Sequence, residues 1–288
     1  MANNMNATGR RQRLRAVLAG PVCRSPVTVY DALSARVADS VGCEIGVLSG
    51  SVSGATLLTA PDIALQTLTE FANQVRSIMR SSNLSLLLDA DHGYGNALNV
   101  MRAVEELEHA GASAIAIEDT VMPARFGVAG LEVVSTEEMA GKLRAAVHAR
   151  RDPSLIIVGR TAALKAEDAR RTADRARVYA ATGIDAIFIT GLKTLEEFDI
   201  IRAAFKLPII VGSAPTLTRE DLEARGARLL LRGHQPVAAV VKALREVYTH
   251  LNRGGATAEL KALIASPDEM ERLVGGAQYQ EWQRQYLS

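Results

Sequence analysis

The chain has 288 residues, of which 48% are hydrophobic and 23% are charged, a composition typical of soluble globular proteins. Its 33 basic and 32 acidic residues give a net charge of +1, which argues against a nucleic-acid-binding surface. No apolar run is long enough to cross a membrane, and the first residues contain no apolar signal core. We therefore expect a cytoplasmic protein that binds neither nucleic acid nor membrane. The basic run at residues 10–15 is interpreted as the solvent-exposed face of a first helix.

Eight short apolar runs recur along the chain, each followed by polar turn residues and a helical pattern. They cover residues 27–30, 44–48, 84–88, 114–117, 155–158, 186–189, 208–211 and 228–231. The clearest helical patterns cover residues 62–79, 99–109, 137–149 and 167–181. Strands that alternate with helices indicate a parallel sheet. Eight such units predict an α/β fold of the (β/α)₈ TIM-barrel class rather than an open doubly wound sheet.

The last part of the chain, residues 257–288, is predicted to be a C-terminal helical extension of the barrel. Its final segment, residues 278–287, carries Tyr279, Trp282 and Tyr286. This aromatic segment is too apolar to remain free in water, so we expect it to pack on this barrel or on a neighbouring subunit. No low-complexity linker divides the chain, and residues 1–288 are therefore predicted to form one domain.

Two carboxylates, Asp89 and Asp91, follow the third apolar run and precede a turn that contains Gly93 and Gly95. As alternate residues at the end of a strand, they can point their side chains the same way. Two acids so close repel each other unless a cation lies between them, and Mg²⁺ is held by one or two carboxylates together with waters and substrate oxygens. The alternative is a pair of solvated loop acids that cap the next helix.

Further polar residues follow other runs, and a barrel brings the carboxyl ends of its strands together at the face that holds the active site. These candidates are Gly50, Ser51, Asp62, Glu118, Arg160 and His234. Arg160 supplies a planar fork that suits a carboxylate or an enolate, and His234 titrates near neutrality. Each residue alone has a structural alternative, such as a turn, a helix N-cap or an ion pair. As a set on one face, they predict an active site.

A competing motif is Gly93-Tyr94-Gly95, which follows a strand, opens a helix and resembles half of a dinucleotide-binding fingerprint. The position of the third glycine holds Leu98. The carboxylates of Asp89 and Asp91 stand just before the glycines and would repel a pyrophosphate. These two facts disfavour a nicotinamide or flavin cofactor.

Three motifs resemble those of the isocitrate lyase/phosphoenolpyruvate mutase superfamily: Asp-Ala-Asp-His-Gly-Tyr-Gly-Asn at 89–96, Ile117-Glu118-Asp119, and Gly159-Arg160-Thr161. The order and spacing hold over nearly the whole chain. The resemblance implies an enzyme that uses Mg²⁺, with Mn²⁺ as a possible substitute, and acts on an α-keto or α-hydroxy acid. It also implies a barrel whose C-terminal helix is exchanged with a neighbour in a homotetramer, a dimer of dimers.

Within the superfamily, this chain is most similar to the oxaloacetate decarboxylase family. The isocitrate and methylisocitrate lyases carry a Lys-Lys-Cys-Gly-His loop after the fourth strand, where this chain has Met-Pro-Ala-Arg-Phe-Gly at 122–127. The decarboxylase family shares the Gly-Ser-Val turn at 50–52, the run at 89–102 and Gly-His at 233–234. One departure is Gly212-Ser213 after the seventh run, where relatives have a tyrosine; it leaves the preferred diacid open.

The resemblance implies decarboxylation of oxaloacetate to pyruvate and CO₂ through a metal-stabilised enolate. In that scheme Arg160 and His234 are catalytic, and Gly50, Ser51, Arg160 and His234 bind the substrate. Asp89 binds the metal directly, while Asp91, Glu118 and Asp62 hold metal-bound waters. Whether His234 protonates the substrate or only orients it stays open. The alternatives are a C–C bond lyase or hydrolase acting on another 2-keto or 2-hydroxy diacid, of the 2-methylisocitrate lyase or phosphonopyruvate type, and a non-catalytic barrel that binds a keto acid.

Overall fold

The protein, described by a computed structural model over residues 5–287, is built on eight parallel strands that are hydrogen-bonded in chain order. The strands are β1 (Val27–Thr28), β2 (Ile45–Leu48), β3 (Ser85–Asp89), β4 (Ala114–Glu118), β5 (Ile156–Thr161), β6 (Ala186–Ile189), β7 (Ile209–Val211) and β8 (Ala227–Leu230). Arg24, just before β1, pairs with Leu229 of β8, and its N–H donates to the Arg228 carbonyl at 2.9 Å. This pairing joins the two ends of the sheet into a barrel, and the sequential order excludes the doubly wound alternative.

Helices follow the strands around the barrel. They are α1 (Ala7–Ala19), α2 (Ala32–Ser40), α3 (Gly50–Leu58), α4 (Leu68–Ser81), α5 (Ala97–His109), α6 (Thr136–Ala149), α7 (Ala169–Ala180), α8 (Leu195–Arg202), α9 (Arg219–Ala224), α10 (Gln235–Asn252), α11 (Pro267–Val274) and α12 (Gly276–Tyr286). Short 3₁₀ helices cover Ala163–Lys165 and Thr257–Ala262. No helix within residues 5–287 is both long enough and apolar enough to span a membrane.

Two predicted helix boundaries were wrong, and both lie beside the mouth of the barrel. Residues 50–52 were expected to form a turn but begin α3, with Ser49 as its N-cap. The helix expected from residue 62 starts only at Leu68, because Thr67 and Glu70 form a reciprocal capping box at that point. Asp62 therefore lies in the loop between α3 and α4.

The core has two layers, inside and outside the barrel, because successive side chains of a strand point to opposite faces. Residues such as Val47, Leu87 and Phe188 fill the barrel interior, and Leu14 and Leu18 of α1 close its bottom. The residues between them along the strands, such as Leu48 and Leu88, pack outward among the helices. The same alternation continues to the top of the barrel and determines which polar side chains point inward there.

The prediction that the basic run of α1 is solvent-exposed was wrong for Arg10 and Arg11, which are buried. Since α1 lies across the bottom of the barrel, its arginines meet backbone carbonyls and acids there. Arg11 donates to the Ala112 and Glu108 carbonyls at 2.9 Å each, and to Asp152 at 2.7 Å. These arginines are part of the fold and not of a charged surface.

The C-terminal extension contacts its own barrel, and its exchange with a neighbouring subunit stays a prediction. Helix α11 contacts α2, and a cavity there is lined by Arg36 and Asp39 together with Tyr279 and Trp282. The two aromatic rings meet edge to face, with 5.2 Å between centroids. That residues 1–288 form a single domain stays a prediction.

Candidate active site

Three charged side chains point inward at the top of the barrel. Asp89 ends β3, Glu118 ends β4 and Arg160 is the penultimate residue of β5. Each lies two residues beyond an apolar residue of the barrel interior, namely Leu87, Ala116 and Val158. Glu118 and Arg160 are also direct partners in the strand register. Strand periodicity therefore brings these three predicted residues together at the mouth.

Arg160 holds the carboxylates together. Its Nη1 donates to Asp89 Oδ2, its Nη2 lies 3.2 Å from Glu118 Oε2, and its guanidinium lies 5.2 Å from the centre of the Phe188 ring. Burial alone would lower the pKa of Arg160, but the charges of Asp89 and Glu118 outweigh it and raise that pKa. Arg160 is therefore a permanent cation in the site. Its ion pairs with Asp89 and Glu118, the structural alternative given for the sequence, lie inside the site.

Asp91 and Asp62 complete the acidic cluster. Asp91 has a left-handed backbone (φ 48°), which aspartate tolerates better than most residues. Burial and the neighbouring charges of Asp89 and Asp62 raise the pKa of Asp91 to about 8. Burial and the charge of Asp89 likewise raise the pKa of Asp62. The acids predicted to hold metal-bound waters therefore lie within electrostatic reach of Asp89.

The donor set fits a hard divalent cation. Four acidic side chains, counting Glu118, lie around Arg160, and Asp89 Oδ1 is buried with no hydrogen-bond partner among the residues described. A buried carboxylate oxygen without a partner is costly unless a ligand completes it. Within residues 5–287 no three acidic, histidine or cysteine side chains already converge as a preformed metal site, and Arg160 is the group now bound between Asp89 and Glu118.

A group of hydroxyls and His234 lies at the start of α3, beside the acidic cluster. Ser49 Oγ lies 3.0 Å from Ser51 Oγ and 3.2 Å from His234 Nε2, while Thr28 Oγ1 lies 2.9 Å from His234 Nδ1. Burial lowers the pKa of His234 below its ordinary value. The N–H groups of Gly50 and Ser51 are in the first turn of α3, where they have no intrahelical partner and can bind an anion.

Glu118 and Asp119 at the end of β4 are both buried. Asp119 accepts hydrogen bonds from the hydroxyls of Thr161 (2.7 Å) and Tyr179 (2.9 Å) and from the Ala162 N–H (3.0 Å). These bonds attach the end of β4 to the end of β5. They hold Glu118 and Arg160 side by side, although neither of these residues contacts the Asp119 carboxylate directly.

The loop after β4 lies beside the site. It lines a cavity of about 250 Å³ together with Asp62, and its residues there include Met122 and Arg125. Phe126 at its tip is fully exposed. The competing dinucleotide motif forms the turn before α5. There the Asn96 side chain already accepts hydrogen bonds from the Leu98 and Asn99 N–H groups, which a pyrophosphate would otherwise bind.

A family model described as phosphoenolpyruvate phosphomutase matches residues 16–252. The chain belongs to this family. Membership in the phosphoenolpyruvate phosphomutase family confirms the superfamily resemblance drawn from the three motifs.

Known members of the family include close relatives of the whole chain. A protein of Rhodopseudomonas palustris (strain BisB5) named oxaloacetate decarboxylase is 46% identical over 280 residues, covering 96% of each chain. A protein of the same name from Bradyrhizobium diazoefficiens (strain USDA 110) is 46% identical over 259 residues, covering 89% of this chain and 90% of the other. The crystal structure of a phosphonopyruvate hydrolase complex with oxalate and Mg²⁺ superposes with a TM-score of 0.86 at 29% identity, covering 99% and 100% of the two chains.

Sequence reasoning missed Thr28, Tyr179 and the buried role of Asp119. Thr28 lies in a two-residue strand and carries no motif, and Tyr179 is on an outer helix 60 residues from Asp119. Only the alternation of side chains along residues 27–29 was available as a signal. Val27 and Val29 pack outward, so Thr28 between them points into the barrel.

Proposed function

We propose that this protein decarboxylates oxaloacetate to pyruvate and CO₂ with the help of Mg²⁺, which Mn²⁺ can replace. The observation that carries the proposal is the inward cluster of Asp89, Glu118 and Arg160, in which Asp89 Oδ1 has no partner among residues 5–287. Relatives that are 46% identical over most of the chain and are named oxaloacetate decarboxylase support the choice of substrate.

In this proposal Asp89 binds the metal directly, and Asp91, Glu118 and Asp62 bind it through water. The bound metal supplies Lewis-acid stabilisation of negative charge on the keto oxygen of the substrate. The phosphonopyruvate hydrolase of the same fold, crystallised as a complex with oxalate and Mg²⁺, supports the pairing of a metal with a small dicarboxylate. Carboxylate and water oxygens are the ligands that Mg²⁺ prefers.

The chain's own residues bind and polarise the keto acid. Loss of the C4 carboxylate as CO₂ leaves an electron pair on C3, which spreads onto the C2 oxygen as an enolate, and a proton from water then adds to C3 to give pyruvate. Arg160 is a fixed cation at the mouth, and Gly50 and Ser51, whose N–H groups begin α3, lie beside the acidic cluster. Such pre-positioned donors stabilise charge that develops in the transition state. Ser51 binds a substrate carboxylate, and His234 lies beside it and orients the hydroxyls of Ser49 and Ser51.

We further propose that the protein is a homotetramer, a dimer of dimers, in which α10 packs on a second copy of the chain. Val237, Val240, Val241, Leu244, Tyr248 and Leu251 recur at helical spacing along one face of α10. Yet no side chain of α10 is buried within the part of the chain described. An apolar stripe of this length on an otherwise packed barrel suits exchange of the helix between subunits. The cytoplasmic location stays a prediction.

The proposed reaction is tested by following oxaloacetate loss and pyruvate formation together. Activity is measured before and after EDTA treatment, after add-back of Mg²⁺ or Mn²⁺, and in Asp89→Asn. Because dissolved metal ions also promote this decarboxylation, each assay needs an enzyme-free control at the same metal concentration. We expect activity to disappear with EDTA, to return with either metal, and to be lost in Asp89→Asn. The exposed Asp174→Asn variant serves as the matched control.

The same assay distinguishes the alternative substrates. Gly212 and Ser213 follow β7 at the mouth, and they leave the preferred diacid open. A panel of 2-methylisocitrate, phosphonopyruvate and other 2-keto and 2-hydroxy diacids, each with Mg²⁺, is therefore informative. Efficient turnover of one of these without oxaloacetate decarboxylation would replace the proposal by a lyase or hydrolase. Binding of keto acids with no turnover would support the non-catalytic barrel.

A further inference from the structure

His234 is joined to three elements of the barrel by a chain of hydroxyl contacts. Thr28 Oγ1 of β1 contacts His234 Nδ1 at 2.9 Å and the Gly233 carbonyl at 3.3 Å. On the other side of the ring, His234 Nε2 contacts Ser49 Oγ at 3.2 Å, and Ser49 Oγ contacts Ser51 Oγ at 3.0 Å. The Val52 N–H also donates to Ser49 Oγ, at 3.2 Å. These contacts therefore link Thr28 of β1 to the start of α3 through His234, which precedes α10.

The number of available hydrogens limits how donors and acceptors can be assigned in this series of contacts. A hydroxyl has one hydrogen to donate, and a carbonyl oxygen can only accept. When Thr28 donates to the Gly233 carbonyl, its contact with His234 Nδ1 requires the hydrogen to be on Nδ1. Burial lowers the pKa of His234, so the ring is neutral at pH 7 and carries one N–H. Nε2 is then an acceptor, and Ser49 donates to it.

We propose that Thr28 is a positioning residue that holds His234 as its Nδ1–H tautomer, with Nε2 accepting a hydrogen bond from Ser49. Thr28 and Ser49 are both buried, so neither contact competes with bulk water. Hydrogen bonding at one ring nitrogen sets which tautomer the other nitrogen presents. The catalytic role of this arrangement rests on the proposed decarboxylation, whereas the assignment of the His234 tautomer does not.

The tautomer of His234 determines whether this residue can protonate the substrate or only orient it, which the sequence left open. With no hydrogen on Nε2, His234 does not donate a proton to C3 of the substrate from that atom. It orients Ser49, and through Ser49 the Ser51 hydroxyl, at the N-terminus of α3. Because the Ser49 hydrogen goes to Nε2, the Ser51 hydroxyl donates to Ser49, and the free N–H groups of Gly50 and Ser51 are left to bind a substrate carboxylate. In this arrangement His234 acts on the substrate by orientation and not by acid catalysis.

The experiment is ¹⁵N NMR of the full-length protein labelled only at histidine, with the His234 signals assigned by their loss in His234→Gln. We expect a protonated, pyrrole-type Nδ1 and an unprotonated, pyridine-type Nε2 in the wild type at pH 7. In Thr28→Val, which keeps the shape but removes the acceptor, we expect the hydrogen to move to Nε2. In Thr28→Ser the wild-type pattern should return.

Kinetics provide a second readout. The kcat/KM for oxaloacetate should fall about 3- to 10-fold in Thr28→Val, the effect typical of one hydrogen bond, and should recover in Thr28→Ser. Thr172→Val is the matched control, since Thr172 is also buried and donates to a backbone carbonyl, that of Asp168 at 2.9 Å, but lies on α7. Its His234 signals and kinetics should equal those of the wild type.

Two results would overturn the proposal. One is an Nε2–H tautomer in the wild type, a measurement that does not require Thr28→Val to fold. The other is a Thr28→Val protein whose His234 signals match those of Thr172→Val. If the wild type shows the Nδ1–H tautomer but does not decarboxylate oxaloacetate, the proposed function fails and the positioning role of Thr28 stands.

Discussion

Gly50 lies directly against the carboxylate of Asp91. A Cβ at Gly50 would be 2.6 Å from the carboxyl carbon of Asp91, a distance that real Cβ atoms essentially never show. The absence of a side chain therefore lets the first turn of α3 approach the acidic cluster. As a result, the N-terminus of α3 lies directly beside the predicted metal-binding acids.

We expect Gly50→Ala to damage the site more than the helix. The added methyl group must displace Asp91 or the start of α3, and such overpacking typically costs about 1–3 kcal/mol. Gly141→Ala is the matched control, because Gly141 lies within α6 and a Cβ there meets nothing within 4 Å. It should stabilise its helix by about 0.5–1 kcal/mol. Urea unfolding and metal-dependent activity check both variants, and equal behaviour of the two would contradict a close contact at Gly50.

The inward set of residues at the mouth could be predicted from the sequence because it depends on two local rules. Parallel strands bring their carboxyl ends together, and alternation along each strand points Asp89, Glu118 and Arg160 the same way. Both rules need only the apolar runs and the residues that follow them. The family motifs added the chemical roles.

The supporting contacts could not be predicted in this way. The Thr28–His234 contact joins residues 206 apart in the chain, and Thr28 lies in a two-residue strand that carries no motif. The start of α3 was missed because Gly and Ser have low helix propensity, and only the N-cap bond from Ser49 and tertiary packing make residues 50–58 helical. Long-range side-chain contacts outweighed local preference at both places.

Arg160→Lys should be severely impaired although the charge is kept. The guanidinium contacts Asp89 and Glu118 through two different nitrogens and lies over Phe188. An ammonium group cannot reproduce this planar, two-sided contact. We expect kcat/KM for oxaloacetate to fall about 10²–10³-fold, the loss typical of one charge-stabilising donor. Arg76→Lys, at the half-exposed pair with Glu106, should leave kinetics unchanged. Comparable turnover in the two variants would mean that Arg160 is only structural.

Tyr179→Phe should loosen the attachment between β4 and β5. The hydroxyl donates to the fully buried Asp119 and accepts from Arg175 at 3.0 Å. Removing it leaves a buried carboxylate short of one donor, which typically costs about 1–3 kcal/mol. We expect a lower free energy of unfolding in urea and weaker metal-dependent activity, since Glu118 and Arg160 flank this attachment. Tyr286→Phe, at an exposed tyrosine of α12, is the control. An unchanged unfolding midpoint in Tyr179→Phe would exclude a stabilising role for this bond.

Leu244→Glu should break the proposed association through α10. Leu244 lies in the middle of the apolar stripe, whereas Ala239 lies on the opposite face of the same helix. A charge buried in a subunit interface is costly, while the same charge on a solvated face is not. Sedimentation equilibrium should therefore give a smaller mass for Leu244→Glu and a tetramer for both Ala239→Glu and the wild type. A tetrameric Leu244→Glu protein would exclude this face of α10 from the interface.

Asp152, at the bottom of the barrel, should make the free energy of unfolding depend on pH under acid conditions. Partial burial would raise the pKa of Asp152, but hydrogen bonds from Ser154, Arg11 and Thr8 outweigh it and lower that pKa below its ordinary value of 3.8. A carboxyl whose pKa is lower in the folded than in the unfolded protein binds protons more weakly when folded. Its stabilising contribution is therefore complete above the ordinary pKa and is lost as the pH falls through 3.8 toward the lower folded value.

Asp152→Asn removes the titrating group, so the free energy of unfolding should depend less on pH in this variant than in the wild type. The difference should be confined to acid conditions, below about pH 5, because Asp152 is fully ionised in both states above that. Urea unfolding at a series of pH values measures it. Asp174→Asn, at an exposed pair with Arg177, should keep the wild-type pH dependence. If Asp152→Asn and the wild type lose stability in parallel as the pH falls, the contacts from Arg11, Thr8 and Ser154 do not depress the pKa of Asp152. In that case α1 is held across the bottom of the barrel mainly by Leu14, Leu18 and the carbonyl bonds of Arg11.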